Sequence, residues 1–229
     1  MSRLLNLDPN GKYIDKYYDS IRMHLGDVYA EKLPKHPLTI TFAVGGAGAQ
    51  REIGAVIAES LKKKIIQKEV KLNLVAGIHN DIGVYFRREL RRIGLKEQLG
   101  KGVNIIFASN KDAYFKRFND ALHTTDVLWT KPSELSFYSA LGLPIIMTSP
   151  IGSQEKFNRI WLKTVGGGIT MEDPRYAHEW FFDWINSGWL AQAAMNGFLE
   201  APKYGIFNIY KVISKRSHEQ NPEEMVSTY

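Results

Sequence analysis

Between residues 38 and 148, short apolar runs alternate with stretches whose apolar positions recur at helical spacing. The runs fall at 38–44, 71–76, 103–108, 127–129 and 144–148, with helices expected near 50–66, 82–99, 111–122 and 133–141 between them. Strands separated by a helix cannot close as hairpins. They lie parallel, with the helices stacked on both faces of the sheet. The expected fold class is therefore α/β: an open, parallel, Rossmann-like sheet of five or six strands. Residues 1–37 read as a helical lead-in or interdomain segment. The α/β domain occupies 38–215, with a helical, aromatic extension from Pro174, and 216–229 form a polar tail.

With 229 residues, 44% of them apolar, the chain can bury one core of ordinary domain size. Zero cysteines exclude disulfides, thiolate metal sites and cysteine nucleophiles, and fit a cytoplasmic protein. No apolar run approaches the roughly 20 residues that span a bilayer, and the N-terminal residues lack a signal-peptide core. The histidines form no ligand-spaced pair, so no metal site is expected. The net charge of +6 is concentrated at Lys62, Lys63 and Lys64 and at Arg87, Arg88, Arg91 and Arg92. The arginines lie opposite Phe86, Leu90 and Ile93 on a helix, a solvated face or a surface for peripheral contact with anionic lipid. No nucleic-acid motif accompanies them, so no nucleic-acid partner is expected. Trp180, Phe181, Phe182, Trp184 and Trp189 crowd together and read as packed core rather than as a carbohydrate platform.

Ligands of such sheets bind at the carboxyl ends of the strands. Two loops there have suitable chemistry. The first strand runs into Gly45-Gly46-Ala47-Gly48-Ala49, either a phosphate-binding turn or a tight strand-to-helix turn. The fourth runs into Thr130-Lys131-Pro132-Ser133, where a cation precedes a helix whose free N–H groups and positive dipole end suit a diphosphate. Dinucleotide binding is disfavoured, because Arg51 stands where the third glycine belongs and Ala76-Gly77-Ile78 where an acidic residue should hold the ribose. No GxxxxGK[ST] sequence is present.

The glycine loop, DVLWTKPSELS at 126–136, ALGLP at 140–144 and SPIGSQEKFN at 149–158 resemble the donor-binding C-terminal half of GT-B glycosyltransferases. They are most similar to the group of the peptidoglycan lipid-linked GlcNAc transferase and the monogalactosyldiacylglycerol synthases. The resemblance covers about 38–170. It implies a UDP-sugar donor as substrate, with no cofactor and no obligatory metal ion. It implies diphosphate contacts at Gly45, Gly46, Gly48, Lys131 and Ser133, and sugar or ribose contacts at Gln154 and Glu155. Ser139 stands where the family has its ribose-binding glutamate, and Asn80 and Ser109 end the second and third strands, where the base would lie. Catalytic residues are not assigned. The family also implies an acceptor-binding domain, for which 1–37 are too short, so that half is expected on a longer chain or on a separate subunit. Glu134, where relatives have a small residue, and Ser139 keep open a second reading: a non-catalytic interaction module with the same fold.

Overall fold

The computed structural model describes residues 2–27, 36–43, 48–133, 135–150, 152–203, 205 and 210. Two short helices, α1 (Ser2–Leu7) and α2 (Tyr18–Leu25), precede β1 (Leu38–Ala43). The chain then alternates through α3 (Arg51–Ser60), α4 (Lys62–Ile66), β2 (Val70–Gly77), α5 (Asn80–Arg92), β3 (Val103–Phe107), α6 (Lys111–Leu122) and β4 (Val127–Thr130). It continues through α7 (Leu135–Ala140), β5 (Ile145–Met147), α8 (Ser153–Val165), β6 (Gly168–Thr170), α9 (Ala177–Asn186) and α10 (Trp189–Glu200). All strand pairs are parallel, in the order β3-β2-β1-β4-β5-β6. This is the doubly wound order, which reverses direction between β1 and β4. The parallel sheet with helices on both faces is as the sequence predicts.

Alternation along each strand assigns the two faces. Leu38, Ile40 and Phe42 of β1 and Val70, Leu72, Leu74 and Ala76 of β2 join the main core with Ile57, Ile82, Phe86 and Leu90 from α3 and α5. Leu4, Leu7, Ile14 and Ile21, from the segment before β1, are buried in the same core. On the opposite face Val75 and Ile106 pack with Phe118 and Leu122 of α6. Part of that face is polar. Asn104 donates to Asn73 (3.1 Å), Asn73 donates to Thr41 (3.0 Å), and the Thr41 and Thr125 hydroxyls are 2.7 Å apart. The ladder satisfies groups that would otherwise be costly to bury.

Several helix ends were legible and some were not. α6 begins at Lys111, as expected, and Asn110 caps the amide of Ala113 at 2.9 Å. α5 stops at Arg92 rather than continuing to 99. Gly94 takes φ +77°, and the Gly94 and Leu95 amides return to the carbonyls of Arg91 and Leu90, closing the helix. The arginines of α5 point outward, with Arg88 and Arg92 paired to Glu89 at 3.1 and 2.8 Å. The sixth strand follows Gly166-Gly167 and begins on Gly168, where a Cβ would collide with Leu162. The aromatic cluster is core, as expected, for Trp180, Phe181 and Trp184, whereas Trp189 is 44% exposed. The segment 204–215 and the tail lie outside the described residues except at Gly205 and Tyr210. Among the described residues no helix is long and apolar enough to cross a membrane.

Candidate functional site

Because the strand order reverses between β1 and β4, the connections leaving their carboxyl ends run to opposite faces and open a crevice. Its floor is tied across three strands. The Thr130 hydroxyl donates to the Ala43 carbonyl (3.0 Å), and the Thr148 amide donates to the Thr130 carbonyl (3.0 Å). Gln50, just before α3, accepts from the Thr148 hydroxyl at 2.7 Å and donates to the Ser149 carbonyl at 3.1 Å. Gln50 holds φ +69° and Gly48 φ +66°. The positive φ favours glycine at Gly48, and a Cβ there would have to displace the tip of the Ile82 side chain, 2.5 Å away.

Lys131 follows the carboxyl end of β4, and its ammonium lies 2.9 Å from Glu155 in the first turn of α8. Both side chains are largely buried, at 16% and 17% exposure. A carboxylate in a first helical turn also interacts favourably with the helix dipole. Three residues along α8, Asn158 donates to the carbonyls of Pro132 (3.1 Å) and Ser133 (3.0 Å). Positions 131–133 are therefore held by one face of α8, and the crevice presents a paired cation and anion rather than a lone lysine.

The predicted site residues divide accordingly. Lys131 and Glu155 are in contact. Gly48 shapes the turn after β1, Ser133 is exposed beside Lys131, and Gln154 is exposed in the first turn of α8. Asn80, the first residue of α5, and Ser109, just after β3, are exposed on the same rim. They follow β2 and β3, the first and second strands beyond β1 in the sheet. Gly45, Gly46 and Glu134 fall outside the described residues.

Two expectations require correction. Ser139 is fully buried, and a Cβ on either Gly167 or Gly197 would come within 2.5 Å of its hydroxyl oxygen. It packs where α7 meets α10 and faces away from the rim, because Leu135 and Ser139, four residues apart, share the inward stripe of the helix. In addition, α7 begins at Leu135 rather than 133 and has six residues. So short a helix has a weak dipole, and its first turn lies beyond Ser133.

Gln50, Thr148 and Gly54 were missed. A Cβ on Gly54 would meet Phe42 at 2.7 Å, so it is Gly54, three residues after Arg51, that lets α3 pack closely on β1. A glycine inside an otherwise helical run was its signal. Nothing local marked Gln50.

Among the described residues, a large electrostatic perturbation lies at the opposite, amino-end edge. Asp126 precedes β4 and is fully buried. Its Oδ2 accepts from the Thr39 amide (2.8 Å) and Asn6 (3.0 Å), with His36 Nδ1 3.6 Å away. Burial pushes its carboxyl from the ordinary range up to about 7, against the opposing pull of the Thr39 amide, His36, Arg3 and Asn6. Arg3 donates to the carbonyls of Thr125, Leu141 and Gly142. Residues from α1 and the lead-in are thus fastened to the amino edge of the sheet.

Neither a family model nor a curated protein matches the sequence. Among solved structures, the chain is similar to WaaG, a glycosyltransferase involved in lipopolysaccharide biosynthesis, at 14% identity and a TM-score of 0.48. That match covers 84% of this chain and 48% of the other. It is also similar to a glycosyltransferase from Rickettsia africae at 9% identity and a TM-score of 0.48, over 98% of this chain and 56% of that one. The chain spans about half the length of each. At this similarity neither neighbour assigns a residue, a ligand or a reaction to this chain. Its own geometry defines it as a doubly wound α/β domain with a polar crevice at the strand-order reversal.

Proposed function

We propose that this chain is the donor-binding half of a GT-B-type glycosyltransferase and holds a nucleotide sugar, a UDP-sugar, in the crevice between β1 and β4. The observation that carries the reading is Lys131, a largely buried cation at the carboxyl end of β4 beside the strand-order reversal. The sequence resemblance around Lys131 and Gln154-Glu155 supports the same ligand. In this reading the diphosphate lies against Lys131, the Gly48 turn and the backbone at Ser133, and Gln154 and Glu155 address the sugar or ribose. When the acceptor hydroxyl oxygen attacks the anomeric carbon, its proton passes to a base of the acceptor-binding domain or subunit, the bond to the diphosphate breaks, and the departing charge is met by the Lys131 ammonium. The acceptor comes from a further domain or a separate subunit, and the basic face of α5 is available for contact with an anionic membrane.

The Lys131–Glu155 pair makes the test specific. Lys131→Ala removes a charge-assisted contact, so affinity for UDP should fall about tenfold to a hundredfold by calorimetry. Glu155→Gln should strengthen UDP binding, because it frees Lys131 and relieves repulsion of the diphosphate. It should weaken discrimination in favour of the full UDP-sugar, because the sugar contact is lost. UDP at about 100 times its dissociation constant should stabilise the protein by about 2.7 kcal/mol, with and without EDTA.

Two observations favour the second reading, a non-catalytic interaction module: Lys131 is already neutralised by Glu155, and α7 is too short to add much dipole. Absence of any shift with UDP, GDP or dTDP, or an unaltered affinity for Lys131→Ala, decides for that module.

A further inference from the structure

The outer edge of the sheet, beyond β5, carries a cavity of mixed apolar and polar lining. It lies between the free edge of β6 and α10, and its volume is about 400 Å³. α10 is two-sided. Leu190, Ala191, Ala194 and Met195 are buried in the core, while Trp189, Gln192 and Asn196 form a stripe along the cavity wall. Trp189 is 44% exposed, and its indole is held edge-to-face at 5.1 Å and 79° against the buried Trp184. On the opposite wall, Gly167 and Met171 bond to β5. By alternation, the main-chain groups of Gly168 and Thr170 turn outward into the cavity. Lys163, Glu172, Ile169 and Ala193 also line it.

We propose that this cavity binds a saccharide ring. A fixed, solvent-facing indole offers an apolar surface to the C–H face of a pyranose. Carboxamides and outward backbone groups both donate and accept, as ring hydroxyls require. Neighbouring chemistries fit less well. A phosphate ligand would leave the Trp189 indole face unused. An extended peptide would find only the three residues of β6, with α10 packed alongside them. The sheet edge and α10 form this site without any contribution from the β1–β4 crevice, so it stands independently of the donor reading.

The test is a titration of ¹⁵N-labelled protein with cellobiose, chitobiose and maltose. At least one disaccharide should shift the Trp189 indole N–H and the Gln192 and Asn196 carboxamide signals saturably, while the buried Trp129 indole stays unmoved. Calorimetry with that disaccharide should show affinity lowered about tenfold by Trp189→Ala and about threefold to tenfold by Gln192→Ala or Asn196→Ala. Gln192 is exposed on the helix surface, so its variant remains informative if Trp189→Ala folds poorly. UDP affinity should be equal in all three variants. No saturable shift with any of the three sugars, shifts that map elsewhere, or full affinity in both Trp189→Ala and Gln192→Ala overturns the proposal.

Discussion

Stability will fall as the pH rises from about 4 towards 7, and Asp126→Asn will abolish most of that fall. The folded-state pKa of Asp126 is raised to about 7, whereas in the unfolded chain it returns to the ordinary carboxylate value near 3.9. Between those values the folded protein binds more protons than the unfolded one. The stabilisation is complete below the unfolded pKa and is lost as the pH climbs through the folded one. The slope reaches at most about 1.4 kcal/mol per pH unit, up to about 4 kcal/mol across the window. The groups facing the carboxyl are Arg3 and Asn6 from α1, His36 before β1 and the Thr39 amide. Asparagine keeps an acceptor for Thr39 and Asn6 and cannot ionise, so it mimics the protonated acid. Urea unfolding of both proteins at stepped pH reads the effect, and parallel curves would refute it. Because Asp126 lies at the amino edge, UDP affinity should not change in the variant.

The second large effect is expected at Trp129. Its indole is fully inaccessible and meets Trp180 edge-on at 5.2 Å, joining β4 to α9. Trp129→Ala deletes the largest fully buried side chain and should cost about 3–5 kcal/mol in denaturant unfolding. Trp129→Phe should cost far less. The indole N–H has no hydrogen-bond partner among the described residues, and removing an unsatisfied buried donor returns about 1–3 kcal/mol against the lost volume. Both variants remove the N–H and differ in the ring that phenylalanine retains, so equal losses would refute the volume argument. Trp129 precedes Thr130 and Lys131, so the alanine variant should also weaken any crevice ligand.

Much of the fold was legible because its signals are local. The β-branched and aliphatic runs of β1 to β3 and the helical spacing of α6 act within a few residues, and their boundaries were read nearly to the residue. β6 was not legible: it has three residues, begins on glycine and gains its identity by lying beside β5. α5 was read too long because an apolar periodicity continues past the point where Gly94 turns the backbone left-handed.

The candidate site divides in the same way. That Lys131 follows a strand at a ligand-binding edge could be inferred from order alone, since a parallel sheet places every such loop on one rim. That Glu155 neutralises it, that Gln50 bridges to Thr148 across 98 residues, and that Ser139 turns inward against Gly167 and Gly197 could not. By itself the sequence determined the alternation of strands and helices, and with it the parallel sheet and its functional edge, because backbone periodicity is set by near neighbours. Only the tertiary structure decided which side chains face one another, because helix phase and side-chain partners follow from packing between segments distant in the chain.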